Sequence, residues 1–181
     1  AYLYNPLKYI LKGKGKRLRP ILVHLAGKAF QADPQMLMKG AMAVELLHNF
    51  TLVHDDMMDG DAMRHGQETV HNKWDDATAI LSGDGLFALS QLMLTDMPAA
   101  VHRRFNEVAV TICEGQGMDK EFEYLIDSRI ILQATQTTQN TSFYFVYLGH
   151  SVFLHLFLNA GCFVLHFFAV LHSTQQSKPI C

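Results

Sequence analysis

Between Asp33 and Gly60 the chain carries one helix start signal, one helix stop signal and a single apolar stripe joining them. Asp33-Pro34 supplies an N-cap followed by proline at the first helical position, where its missing N–H costs nothing. Leu37, Ala41, Val44, Leu47 and Leu52 recur at helical spacing, and Gly60 can take the left-handed conformation that closes a helix. A helix of that length must bury its stripe against other elements, and the surrounding sequence offers only helices. Pro20 fits the first turn of a helix running to about Phe30. Further helices are expected over Val70 to Leu81, Asp84 to Leu94, and Pro98 to about Glu121. Asp61 to Glu68 reads as a polar loop. No period-2 strand and no internal repeat is found, so the expected fold class is all-α.

The character of the chain changes near Tyr124. Up to that point charges of both signs alternate with apolar residues. Beyond Arg129 no Asp, Glu, Lys or Arg occurs until Lys178; the stretch is first Ser/Thr/Gln/Asn-rich and then, from Phe143 to Leu171, aromatic and apolar. Residues 1–124 and 125–181 are therefore treated as two parts. The chain has 181 residues and a net charge of −2, which argues against a general affinity for nucleic acid. Cys113, Cys162 and Cys181 are too widely spaced for a disulfide framework or a zinc site, which fits a reducing, cytoplasmic setting. Ala1 is not methionine and no signal-peptide pattern follows it, so the natural start is expected upstream.

Two clusters carry chemistry. Asp55 and Asp59 lie one turn apart on one face of the long helix, at about 100° per residue. His48 stands two turns earlier on nearly the same line, and Asp56 and Asp61 add carboxylate close by. Such crowding is repulsive, and it sits near a helix C-terminus, where negative charge is unfavourable. A divalent cation relieves both. Magnesium takes one or two carboxylates and completes its shell with water and phosphate oxygens. A solvated acidic helix end is the plainer alternative. The second cluster, Lys12-Gly-Lys14-Gly15-Lys16-Arg17-Leu-Arg19-Pro20, combines cations with glycines that allow close backbone approach and a helix N-terminus that favours anions. It lacks the spacing of a Walker A loop, and a basic surface loop is its plainer alternative.

Taken in order, Gly15-Lys16-Arg17-Leu18-Arg19-Pro20, Glu45-Leu-Leu-His48, His54-Asp55-Asp56-Met-Met-Asp59, Arg64-His65-Gly66, Thr69-Val70-His71, Ser82-Gly83-Asp84, Glu114-Gly115-Gln116 and Asp119 resemble the motifs of the trans-isoprenyl diphosphate synthases. The resemblance spans roughly Tyr4 to Glu123. It implies an all-α bundle around an apolar pocket, in which an allylic diphosphate condenses with isopentenyl diphosphate and releases pyrophosphate. By matching position it implies that Asp55, Asp56 and Asp59 hold Mg²⁺ on the allylic diphosphate and that Arg64 grips the same group. Lys16, Arg17, Arg19 and His48 fall to the isopentenyl diphosphate, with His65 standing where the family has a second arginine. Phe50 and Thr51 precede the aspartates, where the family sets product length, and a bulky Phe50 resembles short-chain (C15 to C20) producers. The wheel places Thr51, not Phe50, on the Asp55 face. A homodimer is implied for a complete chain.

The same resemblance implies a Lys-Thr motif and a second Asp-rich motif after Glu123. No second DDxxD and no carboxylate beyond Asp127 is present, so impaired turnover is expected. For the tail, a shifted reading frame or early stop, a membrane anchor, and a novel helical completion of the core all remain open. The segment from Phe143 to Leu171 exceeds the ~20 residues a span requires, but His150, His155, Asn159 and His166 oppose one. A binding subunit without catalysis, paired with an intact homologue, and a membrane-anchored helical protein are the competing functions.

Overall fold

The computed structural model describes the backbone of residues 2–133 and the side chains of residues 2–125. The fold is all-α apart from one small hairpin. The elements, in order, are α1 (Tyr4–Leu11), α2 (Leu18–Ala29), α3 (Pro34–Asp59), β1 (Met63–Arg64), β2 (Gln67–Glu68), α4 (Val70–Lys73), α5 (Asp76–Met93) and α6 (Ala99–Gln133). Among the described residues they fall into two compact units, residues 2–102 and residues 103–133. Every residue of the acidic and basic clusters lies in the first.

The long helix forms as its sequence signals dictate. The Asp33 side chain accepts a hydrogen bond from the Met36 amide at 3.0 Å, Pro34 opens the helix, and Gly60 closes it in the left-handed conformation at φ 69°. α3 pairs with α5, α2 packs on α3, and α1 and α4 pack on α5. Leu7, Leu46, Val53, Val70, Ala79 and Leu86 form the buried core, with Leu3, Ile10, Phe50, Met57, Leu89 and Met93 against it. Each fully buried side chain such as Leu86 contributes about 1.5–3 kcal/mol relative to exposure.

Four expectations are corrected. α1 appears where no helix was expected. The helix expected over Val70 to Leu81 breaks after one turn: Trp74 leaves helical geometry, and Asp75 starts α5 by accepting from the Thr78 amide at 2.6 Å. α5 then runs through Ser82-Gly83, where a break was expected, because Gly83 serves close packing and not a turn. A Cβ there would lie 2.2 Å from His54 Nε2. Finally, the polar loop holds β1 and β2, antiparallel with Met63 opposite Glu68 and Arg64 opposite Gln67. The two turn residues, His65 and Gly66, both have positive φ (52° and 77°), as a tight two-residue hairpin connection requires.

The boundary expected at residue 124 falls inside α6, which continues to Gln133. The tail beyond it lies outside the described residues, and with it the question of an anchor. Among the described residues no helix is long and apolar enough to cross a membrane.

Candidate functional site

The buried stripe of α3 decides which aspartate goes where. Leu46, Asn49, Val53 and Asp56 follow one another at intervals of three and four, and all are buried. Asp56 thus continues the core face, while Asp55 is half-buried and Asp59 is exposed. A carboxylate removed from water needs a charged partner. Arg64 supplies it: its Nε donates to Asp56 Oδ1, and its Nη2 reaches Asp55 Oδ2 at 3.3 Å and Asp61 Oδ2 at 3.8 Å. Burial pushes the Asp56 carboxyl above the ordinary carboxylate range; Arg64 opposes this, and Asp55 and Asp61 add to it.

The hairpin that presents Arg64 is tied down at its other strand. Tyr9 of α1 donates its hydroxyl to the Glu68 carbonyl at 2.9 Å, and Gln67 Nε2 donates to the Tyr9 carbonyl at 3.4 Å. Thr69 Oγ1 closes the base on the Asp61 carbonyl at 2.6 Å. Lys73 stands 4.3 Å above the Tyr9 ring.

Further up the same helix, Arg19 Nη1 donates to His48 Nε2 at 3.0 Å, which leaves the neutral ring its proton on Nδ1. Burial first, and then the cations Arg19, Arg64 and Arg17 and the neighbouring His65, push the His48 pKa down to about 3. His48 is therefore uncharged at neutral pH and stands among cationic groups. Burial also lowers the pKa of Arg19, against a raising effect from Glu45. Arg17, Arg19, Arg64 and His65 thus all stand close enough to His48 to act on its ring. Lys12, Lys14, Lys16 and His65 are exposed.

Arg17 has internal partners. It forms an ion pair with Glu45 and donates to the carbonyls of Leu11 and Gly13 at 2.8 and 3.0 Å. Glu45 was assigned no role in the sequence; the signal was its spacing, three residues before His48 on the same face of α3. Phe50 lies between His54 (ring centroids 4.8 Å apart) and Phe87 of α5 (5.3 Å). Thr51 donates its hydroxyl to the His48 carbonyl at 2.8 Å.

Asp55 and Asp59 provide two carboxylates one turn apart. Among the described residues no group of three or more His, Cys, Asp or Glu side chains is arranged to hold a metal. Two accessible carboxylates suit a hard cation that takes its remaining oxygens from water and phosphate, and so fit Mg²⁺. They do not suit a closed, all-protein site.

This helical frame is that of an isoprenoid synthase. The solved geranylgeranyl pyrophosphate synthetase from the archaeon Geoglobus acetivorans superposes with a TM-score of 0.70 at 34% identity, covering 94% of this chain and 52% of that one. The polyprenyl synthetase model matches residues 1–156, and the chain belongs to that family. It is 44% identical over 127 residues to the geranylgeranyl pyrophosphate synthase of Geoglobus acetivorans, which covers 67% of this chain and 40% of the relative. To the (2E,6E)-farnesyl diphosphate synthase of Mycobacterium tuberculosis (strain H37Rv) it is 42% identical over 117 residues, 62% of this chain and 33% of the relative. The chain thus spans about two-fifths or less of the length of these curated relatives.

Proposed function

We propose that this chain carries the first metal-binding helix and the isopentenyl diphosphate side of a short-chain trans-prenyltransferase, which condenses an allylic diphosphate with isopentenyl diphosphate and releases pyrophosphate. The observation that carries this reading is the pair of contacts made by two turns of α3, Arg19 with His48 and Arg64 with Asp55 and Asp56. Cations for two diphosphates and carboxylates for a metal come from within a single compact unit.

Asp55 and Asp59 would hold Mg²⁺, with Asp56 supporting them through Arg64. Magnesium supplies positive charge to the oxygens of the departing diphosphate. Arg64, while anchored by Asp56, has a guanidinium edge turned toward Asp55 and would bind the allylic diphosphate there. Lys16, Arg19 and His48, with His65 nearby, would hold isopentenyl diphosphate. His48 is neutral with Nδ1–H, so it can donate a hydrogen bond without adding to the local repulsion between cations. Phe50, packed on Phe87, would close the apolar end of the pocket and favour C15 to C20 products. The apolar pocket that the resemblance implies would keep water from the allylic cation until the isopentenyl double bond attacks and the departing pyrophosphate takes the released proton.

Calorimetric titration of the full chain with isopentenyl diphosphate tests the reading. Lys16→Ala and Arg19→Ala each remove a charge-assisted contact of about 1.5–3 kcal/mol, so affinity falls about tenfold or more. Unchanged affinity in both variants would dispose of the assignment.

A further inference from the structure

We propose that Glu45, acting through Arg17, sets the shape of the cationic loop and thereby aims Lys16 and Arg19. The claim rests on the diphosphate reading above for what the loop is aimed at, but the shaping itself stands on the contacts alone. Arg17 and Glu45 are positioning residues here, not substrate contacts.

Arg17 is the N-cap of α2 and adopts the left-handed conformation (φ 49°, ψ 34°) without being glycine. Outside glycine that conformation is uncommon, and at Arg17 the surroundings enforce it. The enforcement is visible in the three acceptors that its guanidinium engages. Glu45 lies on α3, the Leu11 carbonyl belongs to the last residue of α1, and the Gly13 carbonyl lies in the loop itself. A planar fork with fixed donor directions reaches all three at once; an ammonium group does not. One side chain thus joins two helices and the loop between α1 and α2. Gly15 lies against the same guanidinium, where an added Cβ would stand 3.7–3.8 Å from its atoms.

Glu45 is itself held. Asn49 Nδ2 donates to the Glu45 carbonyl at 2.7 Å and to Oε1 at 3.4 Å, and the Glu45 side chain is only 15% exposed. Three residues along the same face of α3, His48 receives Arg19. The two arginines flanking Leu18 therefore dock on neighbouring positions of one helix face, Arg17 on Glu45 and Arg19 on His48. With Arg17 committed to the clamp, Lys16 and Arg19 are the residues of the motif left to meet a ligand.

The test uses the full chain with Glu45→Gln, which removes the charge and keeps the shape, and Arg17→Lys, which keeps the charge and removes the fork. Hydrogen exchange of the amides between residues 13 and 17 is followed alongside titration with isopentenyl diphosphate. Both variants are expected to exchange this loop about tenfold faster and to bind isopentenyl diphosphate about tenfold more weakly. A direct charge contact by Arg17 predicts instead that Arg17→Lys binds nearly as well as the parent with loop exchange unchanged, and this result overturns the proposal. So does faster loop exchange in Glu45→Gln with affinity intact. Should the parent bind no isopentenyl diphosphate, the functional reading fails by itself; loop exchange then decides whether Glu45 shapes the loop, faster exchange supporting it and unchanged exchange refuting it.

Discussion

Three aspartates that look equivalent in the sequence have different surroundings in the fold. Asp56 continues the stripe of Leu46, Asn49 and Val53 into the core, and Arg64 is folded over it. Asp59 is exposed. Removing the Asp56 carboxylate strands one donor of a half-buried guanidinium that keeps Asp55 as a partner, so Asp56→Ala is expected to cost about 1–3 kcal/mol of stability. Asp59→Asn, at an exposed position, is expected to cost less than Asp56→Ala. Denaturant unfolding of the two variants checks the contrast. The spacing that buries Asp56 is present in the sequence, but the helical wheel alone does not say whether its face or the face shared by Asp55 and Asp59 turns to the core. His48 carries a second residue-scale prediction. Its folded pKa of about 3 lies below the ordinary 6.5 because burial and the cations Arg19, Arg64 and Arg17, with His65, disfavour its charged form, while Glu45 sits nearby on the same helix. Above pH 6.5 both folded and unfolded chains keep the ring neutral. As pH falls from 6.5 toward 3 the unfolded chain takes up a proton that the folded chain does not, and stability declines. Between about pH 7 and about pH 5 this group contributes a loss of about 1–2 kcal/mol, which His48→Gln is expected to remove from the measured pH dependence.

At the level of elements, strong local chemistry was legible and packing was not. Asp33-Pro34 and Gly60 bound α3 as their residue types dictate, and Pro20 sits in the first turn of α2. Ser82-Gly83 was misjudged because a glycine in a helical run can mark either a stop or a close contact, and only the partner helix decides which. Here the His54 ring of α3 lies against Gly83 and approaches the Ile80 carbonyl at 3.4 Å. His54 immediately precedes Asp55, so this contact also fixes the register of the acidic turn against α5. Gly83→Ala places a methyl carbon inside the His54 ring contact, so the ring must turn aside or the two helices separate. Overpacking of this kind costs about 1–3 kcal/mol, measured as a lowered denaturation midpoint. The paired variant Gly83→Ala, His54→Ala, which vacates the space, is expected to recover part of that loss; a double variant no more stable than additivity predicts would place the strain elsewhere. The hairpin was invisible for a different reason. Two-residue strands carry no periodicity, and the turn at His65-Gly66 depends on a histidine accepting positive φ, which its residue type permits but does not announce.

For the molecule as a whole, the half-site and the tail make separate demands. The described residues bring Arg19 to His48 and Arg64 to Asp55 and Asp56. The resemblance requires a second acidic helix facing the first, and the sequence holds no second DDxxD and no carboxylate after Asp127. The match to the family model nevertheless extends to residue 156, past the change in composition near Tyr124. That change was legible as a loss of charge, whereas its structural consequence lies beyond the described residues. Binding and turnover should therefore part company. Arg19, His48 and Arg64 are already placed by contacts within one compact unit, so the chain is expected to bind isopentenyl diphosphate, and to bind an allylic diphosphate more tightly with Mg²⁺ than after chelation. On the reading proposed above, the second acidic motif that the resemblance implies would bring further positive charge to the ionising allylic diphosphate. Each 1.36 kcal/mol of missing transition-state stabilisation lowers the rate tenfold, and loss of electrostatic stabilisation of this kind costs about 2.7–4 kcal/mol, or a hundredfold to a thousandfold. With allylic diphosphate, labelled isopentenyl diphosphate and Mg²⁺, labelled prenyl product is accordingly expected at least a hundredfold below that of a full-length geranylgeranyl diphosphate synthase assayed alongside. Turnover equal to the full-length enzyme would mean that the second acidic motif is dispensable or is replaced by residues of the tail, and that the half-site described here is not the limiting part of the catalyst.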